Sequence, residues 1–153
     1  MLEIEKKFLI KSLPADLEKF FHFEIVQGYL AILEDTEIRL RKKADRYLET
    51  IKIGEGEVRT EIEIELKKEQ FDSLWPATED KRLEKTRYKI PCDNLTIDLD
   101  LYHGKLEGFV SAEVEFEKEG DSKKFSPPEW FGEDVTFDKR YKNQSLVIYG
   151  LPK

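Results

Sequence analysis

The sequence predicts a mainly β protein, a closed eight-stranded antiparallel barrel with a charged interior lining a central cavity and accessory helices packed outside. Three observations lead there. Apolar and charged residues alternate with period two in about eight segments, the pattern of strands that bury one face. The connectors between several of these segments are short and polar or carry glycine, as hairpins require. Nearly every strand has one ionic face from which Ser, Thr, Asn and Gln are almost missing, with the charges sorted by sign. A water-facing surface would accept uncharged polar residues as readily. The aromatics Phe20, Phe21, Phe71, Trp75, Trp130 and Phe131 also need an apolar surface to cover, which a barrel turned inside out supplies. A cavity lined by such charges is costly unless water, metal and a multiply charged anion fill it.

Taken in order, the first strand covers about 2–10, with Glu3, Glu5 and Lys7 on one face and Leu2, Ile4 and Phe8 on the other. Segment 14–21 reads as a helix opened by Ser12 or by Pro14 in its first turn. Strands at 25–33 and 36–43 meet through Glu34-Asp35, the second carrying Arg39 and Arg41 opposite Ile38 and Leu40. Strand 47–53 places Lys52 between Ile51 and Ile53. Beyond Gly54-Glu55-Gly56, the run 58–67 alternates Glu61, Glu63, Glu65 and Lys67 with Ile62, Ile64 and Leu66. A helix over 68–75 groups Phe71, Leu74 and Trp75 on one face. Strand 84–90 carries Lys85, Arg87 and Lys89, strand 95–102 carries Asp98 and Asp100, and strand 110–118 carries Glu113, Glu115 and Glu117. Segment 119–134, punctuated by Gly120, Pro127, Pro128 and Gly132, reads as a long loop with a helical turn around Trp130 and Phe131, and 139–146 as a last helix. No repeat, low-complexity tract or linker interrupts the chain, so 1–153 reads as one domain.

Composition narrows the chemistry. Charged residues make up 39% of the chain, yet the net charge is −7, so long-range attraction to nucleic acid is not expected and any anion must meet a local basic site. One cysteine, Cys92, excludes an internal disulfide framework and cysteine-based metal sites. It follows Pro91 in a turn and reads as inert. The charged start, with Glu3, Glu5, Lys6 and Lys7, is unlike a secretory peptide, and no run approaches a membrane span. The expectation is a cytoplasmic protein with no membrane or nucleic-acid partner. Glu65, Glu117, Lys67 and Lys89 extend the stripes toward strand ends and read as solvated rim charges, while His22 and His103 fall at a helix end and in a turn. Walker, HExxH and GxSxG patterns are absent.

Glu3-Ile4-Glu5-Lys6-Lys7 fits an ExExK motif, and Arg39-x-Arg41, Lys52, Glu61-x-Glu63, Lys85-x-Arg87, Asp100 and Glu113-x-Glu115 follow in an order that resembles the CYTH domain. That is the triphosphate tunnel metalloenzyme superfamily, and the likeness is greatest to its bacterial inorganic tripolyphosphatase branch. The resemblance implies a barrel tunnel that binds triphosphate among cations, with Mg²⁺ or Mn²⁺ held by carboxylates. It makes Lys7, Arg39, Arg41, Lys52, Lys85 and Arg87 phosphate ligands, and adds Lys139 and Arg140 from a C-terminal segment like that which closes one tunnel end. Glu113 and Glu115 would be the main metal ligands, supported by Glu61, Glu63 and Asp100. Glu3 and Glu5 would orient the nucleophilic water.

The activity this implies is hydrolysis of inorganic tripolyphosphate to pyrophosphate and phosphate, with nucleoside triphosphates as weaker substrates. The alternatives are a class IV adenylate cyclase, which needs an adenine pocket that the sequence does not identify, and a non-catalytic polyphosphate or nucleotide binder. A thiamine triphosphatase fits less well, because Glu37 stands where an aromatic would stack near the first arginine. Family members are often dimers, so a homodimer is also open.

Overall fold

The computed structural model describes residues 1–153. Its strands are β1 (Leu2–Ile10), β2 (Phe21–Ile32), β3 (Thr36–Lys43), β4 (Arg46–Ile53), β5 (Val58–Leu66), β6 (Arg82–Cys92), β7 (Leu95–Tyr102), β8 (Val110–Phe116) and β9 (Phe131–Asp134), and its α-helices are α1 (Lys68–Leu74) and α2 (Asn143–Tyr149). The strands pair in the order β5-β4-β3-β2-β6-β7-β8-β1, and β1 returns to pair with β5. That last pairing closes an antiparallel barrel of eight strands.

Closure is incomplete along β1, and this shapes the cavity. Leu2, Glu3 and Ile4 pair with Thr60, Arg59 and Val58, after which β5 has ended. The remaining edge of β1 is taken by β9, which sets Phe8 opposite Asp134 and Ile10 opposite Phe131. The chain then stays on the seam: Val135 N–H donates to the Lys7 carbonyl at 2.8 Å, and Lys7 N–H donates to Thr136 Oγ1 at 3.1 Å. The helical turn expected around Trp130 and Phe131 is therefore corrected to the approach and start of a strand, because an unpaired edge of β1 recruits it. Similarly, the helix expected over 14–21 shrinks to a 3-10 turn at Leu17–Lys19. The alternation of β2 begins earlier than expected, at Phe21, which sits opposite Lys89 of β6.

The outward faces of β1, β6, β7 and β8 form the main core, where Ile4, Phe8, Leu99, Val114 and Phe116 lie under Phe125, Trp130 and Phe131. Burial of each such side chain contributes about 1.5–3 kcal/mol. A second cluster closes one barrel end. Leu146 of α2 packs on Leu83 and Tyr102, which share the inward rows of Lys85 and Asp100, and Tyr102 donates to Asn143 Oδ1 at 2.6 Å. Around α1, Gln70 accepts from Lys67 N–H at 2.8 Å, while Phe71 packs against Tyr47 of β4. No helix is long and apolar enough to cross a membrane.

Candidate active site

The inward rows of the strands enclose a cavity of ≈ 240 Å³ lined by 23 residues, of which 3 are hydrophobic. Nine of the lining residues are Lys or Arg and eight are Asp or Glu, so the lining is slightly basic within a chain of net charge −7. This is the local basic site that an anion would need.

The cations fall into two kinds. On one side, Lys52 Nζ lies 2.9 and 3.0 Å from the carboxylate oxygens of Glu3 and 3.5 Å from Glu61. Arg59 contacts Glu37 at 3.2 Å, and Arg87 binds Asp100 through two hydrogen bonds of 2.8 Å while reaching Asp98 at 3.3 Å and Glu113 at 3.6 Å. On the other side, Arg39, Arg41, Lys43 and Lys7 form no ion pair. Arg39 is buried to 5% exposure, and its Nε has no hydrogen-bond partner. Arg41 donates only to the neutral Gln27 Oε1, at 3.0 and 2.7 Å, and Lys7 Nζ only to the Tyr141 carbonyl, at 2.7 Å. Burial pulls the Arg41 guanidinium down to about 10, with Arg39 and Arg87 adding repulsion. Burial likewise lowers Lys43 and Lys7, whereas Arg39 is raised against burial by Tyr29, Glu37, Glu3 and Glu61. The cost of burial without a counter-ion therefore falls on Arg41, Lys43 and Lys7, and a polyanion removes it.

The carboxylates gather on β1, β5 and β8. Burial pushes the Glu5 carboxyl well above the usual range, reinforced by Glu113. Against the same burial, Arg87, Lys85 and Lys7 hold Glu113 well below it. Burial would also raise Glu3, but Lys52, Glu61 and Arg59 bring it to about 2. Glu61 rises to about 7 through burial and its contact with Glu3.

Of the residues named from sequence, Glu3, Glu5, Lys7, Arg39, Arg41, Lys52, Glu61, Glu63, Arg87, Glu113 and Glu115 line this one cavity. Lys85 and Asp100 do not: both are fully buried behind its wall, with Lys85 Nζ 2.8 Å from Asp100 Oδ2. Burial lowers Lys85 to about 7 against the pull of Asp100. The structure does not bring Lys139 and Arg140 inside either. Lys139 is exposed and pairs with Glu55 at 3.1 Å, Arg140 pairs with Asp138, and Lys142 of the same segment lines the cavity instead.

This chain is 44% identical over 97% of its length to an inorganic triphosphatase of Nitrosomonas europaea, covering 98% of that protein. It is 35% identical over 95% of its length to an inorganic triphosphatase of Acetivibrio thermocellus, covering 92% of it. A crystal structure of an inorganic triphosphatase superposes with a TM-score of 0.71 at 39% identity, covering 98% of this chain and 97% of the other. The chain belongs to the inorganic triphosphatases. No protein-family model matches it.

A divalent cation is implied by membership among the inorganic triphosphatases, and the donors fit one. Hard carboxylate oxygens come from three strands, and two pairs, Glu5 with Glu113 and Glu3 with Glu61, lie close enough to perturb each other. Carboxyls so close share a proton that a cation can replace. No three of them converge as a ready cage. A cation held by one or two carboxylates, with phosphate oxygens and water completing the shell, suits such donors.

Sequence reasoning missed Lys43, Arg59 and Lys142 of this lining, and it read as a solvated rim charge Lys89, which lines the cavity and pairs with Asp98 at 2.6 Å. Lys43 stands two residues past Arg41, and Arg59 two before Glu61, so the period-two stripes could have found both. Lys142 lies outside any strand, where no periodicity marks it. Tyr29 and Gln27 were hidden for another reason: the inward face of β2 carries no charges to form a stripe.

Proposed function

We propose that the protein hydrolyses inorganic tripolyphosphate to pyrophosphate and phosphate with Mg²⁺ or Mn²⁺, and takes nucleoside triphosphates as weaker substrates. The observation that carries this reading is the set of cations without an ion-pair partner, Arg39, Arg41 and Lys43 on β3 and Lys7 on β1, in a cavity that β1, β5 and β8 line with carboxylates. The unpaired cations bind the phosphate oxygens, with arginine forks matching two oxygens each. Arg87, Lys52, Arg59 and Lys142 complete the basic lining.

The cation supplies neutralisation of the phosphate charge, and Glu113, Glu115, Glu61 and Glu63 would hold it. Glu3 and Glu5 orient a water for in-line attack on the terminal phosphorus. The P–O bond formed by the water replaces the anhydride P–O bond, the pyrophosphate leaves with that electron pair, and the water proton passes to a carboxylate. Asp100 and Lys85 act from behind the wall by fixing Arg87.

The test is phosphate and pyrophosphate release from tripolyphosphate and from ATP in parallel, with Mg²⁺, Mn²⁺ or EDTA, while cyclic AMP is followed. Faster turnover of tripolyphosphate that EDTA abolishes is expected. Cyclic AMP would move the protein to the cyclase reaction. Binding without turnover, unchanged in Glu5→Gln, would make it a polyphosphate binder.

A further inference from the structure

We propose that Phe21 and Phe23 form a stacking platform for the base of a nucleoside triphosphate at the open mouth of the tunnel. The proposal rests on the reading that the cavity takes nucleoside triphosphates. Phe21 and Phe23 stand opposite Lys89 and Arg87 across the β2–β6 pair. Directly opposed side chains share a face, so both rings lie on the inward row that carries two cavity-lining cations. Their centroids are 5.6 Å apart, and Phe21 is 71% exposed although no part of the hydrophobic core reaches it. Phe23 is half-buried, so the aromatic surface open to a ligand is mainly that of Phe21.

Its position relative to the phosphates decides what it would bind. Arg39, Arg41 and Lys43 lead along β3 at two-residue intervals of about 6.6 Å. The row ends where Lys43 Nζ stands 5.4 Å from the centre of the Phe23 ring. At the other end of the barrel, α2 is seated on Leu83 and Tyr102, and Lys7 is tied to the Tyr141 carbonyl. A triphosphate lying along the unpaired cations therefore has space for an organic substituent only at the Phe21 end. Stacking on an aromatic face requires no particular hydrogen-bond pattern, which suits a subsite that accepts several bases.

The test uses the full chain with Mg²⁺, comparing wild type, Phe21→Ala and Phe21→Trp on ATP and tripolyphosphate. Loss of one stacked base corresponds to about fivefold or more in affinity. In Phe21→Ala the ratio of kcat/KM for ATP to that for tripolyphosphate should fall at least about fivefold, mainly through KM for ATP, and Phe21→Trp should restore it. In Phe21→Trp the added indole fluorescence should be quenched by ATP and not by tripolyphosphate. Equal losses for both substrates, an unchanged ratio, or quenching by both ligands alike would overturn the platform. So would a change in sedimentation without a change in the ratio, which would make Phe21 a contact between copies of the chain. If wild type hydrolyses neither compound, the hydrolase reading fails, while the fluorescence titration still decides the stacking site.

Discussion

Strands β3 and β6 carry nearly the same inward pattern, Arg39-x-Arg41-x-Lys43 and Lys85-x-Arg87-x-Lys89, yet they have opposite electrostatic fates. The difference lies in the neighbours. Across from Arg87 and Lys89, β7 places Asp100 and Asp98, which bind them at 2.8 and 2.6 Å. Across from Arg39 and Arg41, β2 places Tyr29 and Gln27 while β4 places Thr50 and Leu48, none of them charged. The β6 cations are therefore neutralised by the fold, and those of β3 are left without an ion-pair partner. Nearly the same stripe can be ion-paired in one strand and unpaired in another, and only the register tells them apart.

The largest effect should come from breaking the neutralised side. Asp100→Ala leaves Lys85 and Arg87 buried without their main counter-ion. Removing one partner of such a pair costs about 3–5 kcal/mol. For a chain of this size that lowers the melting temperature by about 10 °C, measurable by circular dichroism. A shift of only a degree or two would mean that Arg87 finds another partner. Next comes the unpaired side, where Arg39→Met should lower the melting temperature less than Asp100→Ala does, since no ion pair is lost and only the more distant attraction of Glu37, Glu3 and Glu61 is removed. Its kcat/KM for tripolyphosphate should fall about 10- to 150-fold, the worth of one hydrogen bond to a charged group. A parallel loss of stability and activity would remove the distinction between the two strands.

A conversion sharpens the comparison further. Gln27 already accepts both Nε and Nη2 of Arg41, so Gln27→Glu would give β3 the same kind of forked ion pair that Asp100 gives β6, with no change in side-chain size. Calorimetric titration should show tripolyphosphate binding weakened about tenfold, the scale of one charge-assisted hydrogen bond, while the melting temperature does not fall. Unaltered affinity would show that Arg41 does not meet the phosphates.

Much of the architecture was legible because period two is a property of the chain itself: the stripes through Glu3-x-Glu5-x-Lys7 and Glu61-x-Glu63 gave the strands, and the missing neutral polar residues showed that the faces turn inward. What failed depended on distant partners. β9 forms because β5 ends early and frees the edge of β1, which nothing within 119–134 announces. The pairing of Asp100 with Lys85 and Arg87 is likewise a matter of which strands become neighbours.

The C-terminal segment shows the smallest effect and the sharpest contrast within a few residues. Lys139 and Arg140 are exposed and form surface pairs with Glu55 and Asp138, whereas Lys142 faces the cavity close to Arg59 and Glu37. Exposed pairs of this kind contribute little and are screened by salt. Lys139→Ala and Arg140→Ala should each change kcat/KM for tripolyphosphate by less than about twofold, while Lys142→Ala lowers it several-fold, with a charge-assisted contact as the upper bound. Steady-state kinetics at 0.1 M salt decides between them. A loss in Arg140→Ala as large as that in Lys142→Ala would mean that the segment turns when substrate arrives, bringing to the phosphates the cation that Asp138 now holds.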